Sequence, residues 1–271
     1  MKKQKTPSTN SQLPNGLNDQ RYLKENEEWP GIEDRLGQPR ILQHHFFPDA
    51  LAWIRQEKNL TDFHYLDAGC GHGNDLRAIK KELNGEGHFL GISLSRAEIV
   101  HGLEFYQERN QEDPKESLSM FGIGNLHNLH EIKVFDEKTS DFSAPESLND
   151  ETFDLIFMEA VLHASGYGHD TYEKKKESAQ QILSELCRVC KKDGKLLGRI
   201  MAFSPVIPKE EQFKLLRSNN NWLFVPGLDE VIAMLTIAGF DYIQRSIRPH
   251  EKAAMPGKEN LVKVSFLAEK R

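Results

Sequence analysis

Three glycines spaced two residues apart constrain the fold of this chain more than any other feature. They form Gly69-Cys70-Gly71-His72-Gly73, directly after the strand-like stretch Phe63-His64-Tyr65-Leu66-Asp67-Ala68. Glycine permits positive φ angles and the close approach of a ligand, and a helix behind the turn directs free N–H groups at the same place. The pattern therefore predicts a strand, a ligand-binding turn and a helix, with Asp67 at the end of the strand.

The next segments repeat this alternation of strand and helix. Leu76, Ile79 and Leu83 recur at helical spacing, and residues 88–93 have the pattern of a second strand. Ser95-Arg96-Ala97-Glu98 then has the form of a capping box in front of another helix. This order is typical of the first half of a doubly wound parallel sheet.

The glycine turn resembles motif I of the class I S-adenosylmethionine-dependent methyltransferases, in which an acidic residue precedes x-G-x-G-x-G. Further segments resemble later parts of that family in the same order, namely residues 91–95, 119–127, 153–163 and 186–197. The resemblance implies an α/β fold: a doubly wound, Rossmann-like, seven-stranded, mostly parallel sheet with an antiparallel final strand and an N-terminal helical cap. It also implies S-adenosyl-L-methionine as the cofactor and methyl transfer to a small-molecule acceptor.

The resemblance implies a set of cofactor-binding residues, which are Asp67, Gly69, Cys70, Gly71, Gly73, Ser93, Leu94, Asn125 and Leu126. Glu159 joins this set by its position directly after the predicted fourth strand, where it could contact the cofactor or the acceptor. Two of them depart from the family's pattern. Ser93 stands where an acid usually holds the ribose, and Asn125 stands where Asp usually accepts the adenine amino group. Serine can still hydrogen-bond a ribose, and asparagine can accept through its side-chain carbonyl. The predicted site therefore loses charge but keeps its acceptors.

His163 is the candidate catalytic residue. It follows the predicted fourth strand, at the sheet edge where ligands bind in open α/β folds. A histidine there can take a substrate proton as the methyl group arrives. A structural role is equally compatible with the sequence, because methyl transfer from a sulfonium needs little beyond alignment and desolvation.

A single methyltransferase domain is predicted over 19–271, behind a polar, disordered tail at 1–18, with 19–58 as its N-terminal cap. Residues 127–150 are predicted to be a loop-rich crossover with one short helix. The remaining predicted elements are helices at 172–190 and 228–238 and strands at 196–203, 241–247 and 261–267, the last two antiparallel.

Composition agrees with a soluble, globular enzyme of the cytoplasm. The net charge of −6 disfavours a nucleic-acid partner, and no apolar run is long enough to span a membrane. Three cysteines give no disulfide framework, and the start of the chain lacks the apolar stretch of a signal peptide. No metal is expected, because the C-x-x-C pair Cys187 and Cys190 lies in an amphipathic helix without a second pair. The oligomeric state stays open.

Two alternatives remain at this point. An NADP-dependent oxidoreductase would explain the missing acid at Ser93, the nearby Arg96, and the Y-x-x-x-K spacing of Tyr172 and Lys176, although the glycine spacing differs from that of dinucleotide enzymes. A non-catalytic S-adenosylmethionine-binding protein would keep the fold without turnover, since fold does not guarantee chemistry.

Overall fold

A nine-stranded sheet forms the centre of the computed structural model. Its strands are β1 (His64–Ala68), β2 (His88–Ser93), β3 (Met120–Asn125), β4 (Asn128–Asp136), β5 (Asp141–Phe142), β6 (Phe153–Glu159), β7 (Cys190–Phe203), β8 (Phe240–Pro249) and β9 (Leu261–Lys270). The helices are α1 (Phe47–Glu57), α2 (Asn74–Glu82), α3 (Arg96–Arg109), α4 (Val161–Ala164), α5 (Tyr172–Val189) and α6 (Leu228–Ala238), with short 3₁₀ turns at Ile41–Gln43 and Leu60–Asp62. The structure describes residues 38–109, 120–136, 141–159, 161–165, 169, 171–205, 207–208, 210–211, 224–249 and 261–271.

The order of the strands confirms the doubly wound α/β fold. It runs β5-β4-β3-β2-β1-β6-β7-β9-β8, and β1 pairs in parallel with both β2 and β6. The final strand, β9, is antiparallel to both of its neighbours, as predicted. Because the chain winds outward from β1 in both directions, the carboxyl ends of β1 and β6 border the crevice where ligands bind in such sheets.

The prediction for residues 127–150 was wrong, and the predicted count of seven strands was wrong with it. These residues include β4, a nine-residue strand antiparallel to β3, and the whole two-residue strand β5. An irregularity in the pairing of β3 with β4 shifts the register between Ile123 and Asn125. Such a bulge breaks the two-residue alternation by which a strand is recognised in sequence.

Helices cover both faces of the sheet. Because side chains alternate along a strand, Leu66 faces a cluster that includes Leu186 of α5 and Met234 of α6, while Tyr65 faces one that includes Ile54 of α1 and residues of α2 and α3. The predicted helices at 172–190 and 228–238 are confirmed to within one residue. Within the described part of the chain, no helix is long and apolar enough to cross a membrane.

The part of the N-terminal cap that the structure describes is the 3₁₀ turn at Ile41–Gln43 and α1. The predicted disordered tail at 1–18 and the first half of the cap lie outside the described residues. Cys187 lies in α5, whereas Cys190 is the first residue of β7, so the prediction that both lie in the helix was wrong for Cys190. Both are free thiols buried in the core, as the packing interpretation of their spacing expects.

Candidate active site

The glycine turn joins β1 to α2 and adopts left-handed backbone at all three glycines, with φ of 88°, 52° and 76°. A Cβ on Gly69 would lie 2.5 Å from Val161, and one on Gly73 would lie 2.5 Å from the ring of Phe121. Of the residues that the structure describes, a Cβ on Gly71 would meet only the carboxylate of Glu98, at 3.7 Å. Gly69 and Gly73 are therefore required by packing, while Gly71 leaves open space beside the turn.

Asp67 lies at the end of β1 with only 2% of its surface exposed. The backbone N–H of Leu76 donates to its carboxylate, and Oδ2 has no hydrogen-bond partner among the described residues. Burial raises the pKa of Asp67 well above its ordinary value, and the charges of Asp75 and Glu159 add to this effect. An unpartnered buried acceptor at this sheet edge indicates a place for a donor or cation from a ligand.

Asp75, in the first turn of α2, was not singled out by the sequence. Its Oδ1 accepts the backbone N–H groups of Arg40, at 2.5 Å, and of Ile41, at 2.6 Å. Burial, opposed by these two hydrogen bonds, raises the pKa of Asp75 to about 6. The contact fastens the segment before α1 to the helix that begins at the glycine turn.

Glu159, at the end of β6, holds two arginines. Nη1 of Arg199 lies 3.1 Å from Glu159 Oε1, and Nη1 of Arg40 lies 3.4 Å from the same oxygen. Arg199 also donates to the backbone oxygen of Gln43 at 3.0 Å. Glu159 is therefore already paired, so its carboxylate positions the N-terminal segment beside the sheet edge.

The structure supplies a carboxylate near Ser93 that the sequence reading did not assign to the site. Ser93 Oγ donates to Oε2 of Glu98 at 3.1 Å, and the N–H of Glu98 donates to Ser95 Oγ at 3.2 Å. Of the two hydrogen bonds of the predicted capping box, the one from the N–H of Glu98 to Ser95 Oγ is thus present. The side chain of Glu98 instead points toward Ser93 at the end of β2. Glu98 is buried, with 5% of its surface exposed, and lies beside Gly71.

The short turn between β3 and β4 carries a hydrogen-bonded chain. Oδ1 of Asn125 lies 3.0 Å from the backbone nitrogen of His127 and 2.7 Å from its ring atom Nδ1. The other ring nitrogen of His127 lies 2.6 Å from Oγ of Ser178 on α5. The oxygen that was expected to accept an adenine amino proton is therefore occupied by His127.

His163 is engaged by the backbone of β7. The pairing of β6 with β7 ends opposite Arg199, so the N–H of Met201 lacks an acceptor from that strand, and it donates to His163 Nε2 at 2.7 Å. An imidazole that accepts at Nε2 carries its proton on Nδ1, which leaves no lone pair to act as a base. Of the two roles that the sequence left open for His163, this geometry favours the structural one.

Tyr172 and Lys176 do not form an oxidoreductase site. Tyr172 donates to Oε2 of Glu230 at 2.5 Å, and Lys176 lies 3.0 Å from Oε1 of the same carboxylate. Burial and the adjacent carboxylate raise the pKa of Tyr172 above its ordinary value, whereas a catalytic tyrosine needs a lowered pKa. Both residues therefore hold α5 against α6.

The sheet edge gathers most of the residues that the sequence singled out. Asp67, the glycine turn, Ser93 and Asn125 lie at the carboxyl ends of β1, β2 and β3. Leu94 directly follows β2, and Leu126 directly follows β3 and is buried. Cys70 is buried within the turn, and burial raises its thiol pKa, so it contributes backbone and not a thiolate.

Comparison with known proteins agrees with this arrangement. A family model described as a methyltransferase domain matches residues 60–224. No curated protein sequence matches the chain.

Solved structures share the fold at low sequence identity. Geranyl diphosphate methyltransferase in complex with GPP and sinefungin has a TM-score of 0.55 at 11% identity, over 82% of this chain and 75% of that one. Phosphoethanolamine N-methyltransferase 2 of Haemonchus contortus, in complex with S-adenosyl-L-methionine, has a TM-score of 0.54 at 14% identity, over 89% of this chain and 60% of that one. The (4+2)-cyclase SpnF has a TM-score of 0.51 at 13% identity, over 83% of this chain and 80% of that one.

The family match covers more than half of the chain and contains the glycine turn, the ends of β1 to β3 and the β6 edge. It confirms the resemblance found in the sequence. The chain therefore belongs to the methyltransferase domain family, as an enzyme with the class I S-adenosylmethionine-dependent methyltransferase fold.

Proposed function

We propose that this enzyme transfers the methyl group of S-adenosylmethionine to a nucleophile on a small molecule. The observation that carries the proposal is the buried Oδ2 of Asp67, which has no hydrogen-bond partner in the described part of the chain and lies beside a left-handed glycine turn. Asp67, Asp75 and Glu159 bring three carboxylates to one sheet edge, where the charges of Asp75 and Glu159 add to the raised pKa of Asp67, and the charge of Glu159 adds to that of Asp75. A cationic ligand with N–H donors fits such a place, because it relieves that repulsion.

The cofactor-binding residues divide by the part of the molecule that each would hold. Asp67 and the backbone of Gly69 to Gly73 take the amino acid part. Glu98 and Ser93 take the ribose hydroxyls, so that the carboxylate comes from α3 and not from the end of β2. Leu94 and Leu126 border the adenine, and Asn125 reads its polar edge.

When bound, S-adenosylmethionine supplies an electrophilic methyl group on a positive sulfur. The protein's part is to align the acceptor with the methyl carbon and to exclude water, since the charge on sulfur disappears during transfer. Glu159 with Arg199 and Arg40 fixes the segment before α1 over the same edge. His163 acts as a positioning residue that holds α4 to β7 at the border of the acceptor side.

A small-molecule acceptor agrees with the net charge of −6 and with the ligands named for the similar solved structures. The three unpaired thiols agree with a reducing compartment such as the cytoplasm. A binding protein without turnover is the second candidate, because Ser93 and Asn125 are neutral where the family usually has acids and because the fold alone does not guarantee chemistry.

The test has two parts. Calorimetry with S-adenosylhomocysteine is expected to show binding, and NADPH is expected to show none. Incubation with methyl-labelled S-adenosylmethionine and a cell extract should then yield a labelled small molecule, which the Gly71→Val variant should not form. Binding without any labelled product, in extracts that label with a known methyltransferase, would favour the binding protein. Failure of S-adenosylhomocysteine to bind would contradict the proposal.

A further inference from the structure

The polarity of the hydrogen-bonded chain at the β3–β4 turn is fixed by one backbone group. The N–H of His127 can only donate, so the Asn125 atom that lies 3.0 Å from it is the carbonyl oxygen Oδ1. The same oxygen lies 2.7 Å from Nδ1 of His127, which must therefore carry the ring proton. The ring's other nitrogen then accepts from the hydroxyl of Ser178 at 2.6 Å.

A neutral imidazole at His127 supplies both hydrogen bonds, as a donor to Asn125 and as an acceptor from Ser178. Burial lowers the pKa of His127 to about 4, with the nearby His169 contributing. The ring is therefore uncharged at neutral pH, with one donor and one acceptor. The chain runs in one direction only, from the Ser178 hydroxyl through His127 to Asn125.

Asn125 is left with a donor and without an acceptor. A side-chain carbonyl oxygen has two lone pairs, and His127 takes both. The amide Nδ2 of Asn125 has no hydrogen-bond partner among the described residues, and the residue is half-buried. Rotating the amide to present oxygen outward would break two hydrogen bonds and set its NH₂ against the N–H of His127.

We propose that Asn125 reads the cofactor's adenine as a hydrogen-bond donor to ring nitrogen N1, and that His127 is the positioning residue that imposes this polarity. The proposal rests on the proposed function. The Watson–Crick edge of adenine, which includes the 6-amino group, offers one acceptor, N1, beside that donor. An outward NH₂ can pair with N1, whereas against the 6-amino group it would place two donors face to face.

The first experiment compares two ligands on the unaltered protein by calorimetry. One is S-adenosylhomocysteine, and the other is its 1-deaza analogue, in which C–H replaces N1 and the 6-amino group is kept. We expect the analogue to bind about 5- to 30-fold more weakly, which is the usual effect of losing one buried hydrogen bond. Equal affinities would overturn the proposal.

The second experiment uses Asn125→Asp, which keeps the shape and both bonds from His127 but replaces the outward donor with an acceptor. We expect affinity for S-adenosylhomocysteine to fall about tenfold or more and the preference over the 1-deaza analogue to disappear, because the carboxylate faces the N1 lone pair. If Asn125 instead read the 6-amino group, the same variant would retain or raise that affinity.

Asn128→Asp is the matched control, since it adds the same charge at the first residue of β4, directly after the turn. It should leave the preference for S-adenosylhomocysteine unchanged, and melting curves should show that all variants fold. If Asn125→Asp fails to fold, the comparison of the two ligands on the unaltered protein decides alone. Absence of any S-adenosylhomocysteine binding would instead overturn the proposed function, so the two failures are distinguishable.

Discussion

Ser93 Oγ donates to Glu98 Oε2 across 3.1 Å, so the acid that is missing from the end of β2 is supplied by the first turn of α3. This relationship changes the meaning of the neutral Ser93. A carboxylate therefore lies next to Gly71, although the sequence position usually associated with it holds a hydroxyl.

The first prediction concerns this carboxylate. Glu98→Gln should weaken S-adenosylhomocysteine binding about tenfold, because hydrogen bonds to a charged acceptor are stronger than those to a neutral amide. Calorimetry measures the effect. Glu104→Gln, an exposed change on the same helix, is the control and should bind normally. Equal affinity in the Glu98 and Glu104 variants would remove Glu98 from the cofactor site.

The second prediction separates the glycines of the turn. Gly71→Val should abolish cofactor binding, because the valine side chain would fill the space beside the turn that the ligand needs. The protein should still fold, because the side chain meets no close neighbour among the described residues and the φ of 52° adds strain of only about 1–2 kcal/mol. Gly73→Ala should instead lower the melting temperature strongly, because its Cβ would collide with Phe121. Circular dichroism and calorimetry distinguish the two effects. Normal affinity in Gly71→Val would show that the ligand does not approach this turn.

The third prediction concerns His163. Its replacement by Ala leaves the N–H of Met201 without an acceptor and should reduce the free energy of unfolding by about 1–3 kcal/mol. His163→Gln can accept that N–H and should recover part of the loss. Turnover should fall only in proportion to the folded fraction, as measured with an accepted substrate and a melting curve. A hundredfold loss of kcat at unchanged stability would restore the role of general base.

The fourth prediction follows from the carboxyl of Asp75. Its pKa is about 6 in the folded protein, against an ordinary 3.8, so the folded state binds the proton more tightly. The free energy of unfolding contributed by this group should therefore be largest below about pH 4, fall as pH rises to about 6, and stay constant above that. Asp75→Asn keeps the acceptor for Arg40 and Ile41 without the charge.

The variant should consequently be more stable than the original protein at neutral pH, by on the order of 1–2 kcal/mol, and not at acid pH. Urea unfolding over that pH range gives the difference directly. Asp49→Asn, at an exposed position of α1, serves as the control. A difference between the two proteins that does not change with pH would contradict the assignment.

The elements with strong periodicity could be predicted from the sequence. The glycine turn, α5 and α6 each carry a local signal, either glycine spacing or an apolar stripe. β4 lacked such a signal, because the bulge at its pairing with β3 interrupts the alternation. β4 forms by pairing with the exposed edge of β3, and that edge exists only once the sheet has folded.

The sequence pattern placed most of the candidate residues at one edge of the sheet, where they lie, but it did not predict which way their hydrogen-bonding groups point. Glu98 reads as a capping residue, and only its contact with Ser93 shows where its carboxylate points. The orientation of Asn125 depends on His127, two residues away, and through it on Ser178, which is 51 residues further along the chain. Directions of this kind follow from tertiary contacts, so the sequence alone leaves them open.

The β3–β4 turn has an evolutionary consequence. It is bonded to α5 twice, by Ser178 to the ring of His127 and by Gln181 to its backbone oxygen. A substitution on α5 can therefore alter base recognition without touching the ligand, and a change at Asn125 is tolerated only if its partners still supply donors. The residues at positions 125, 127 and 178 should therefore covary among relatives.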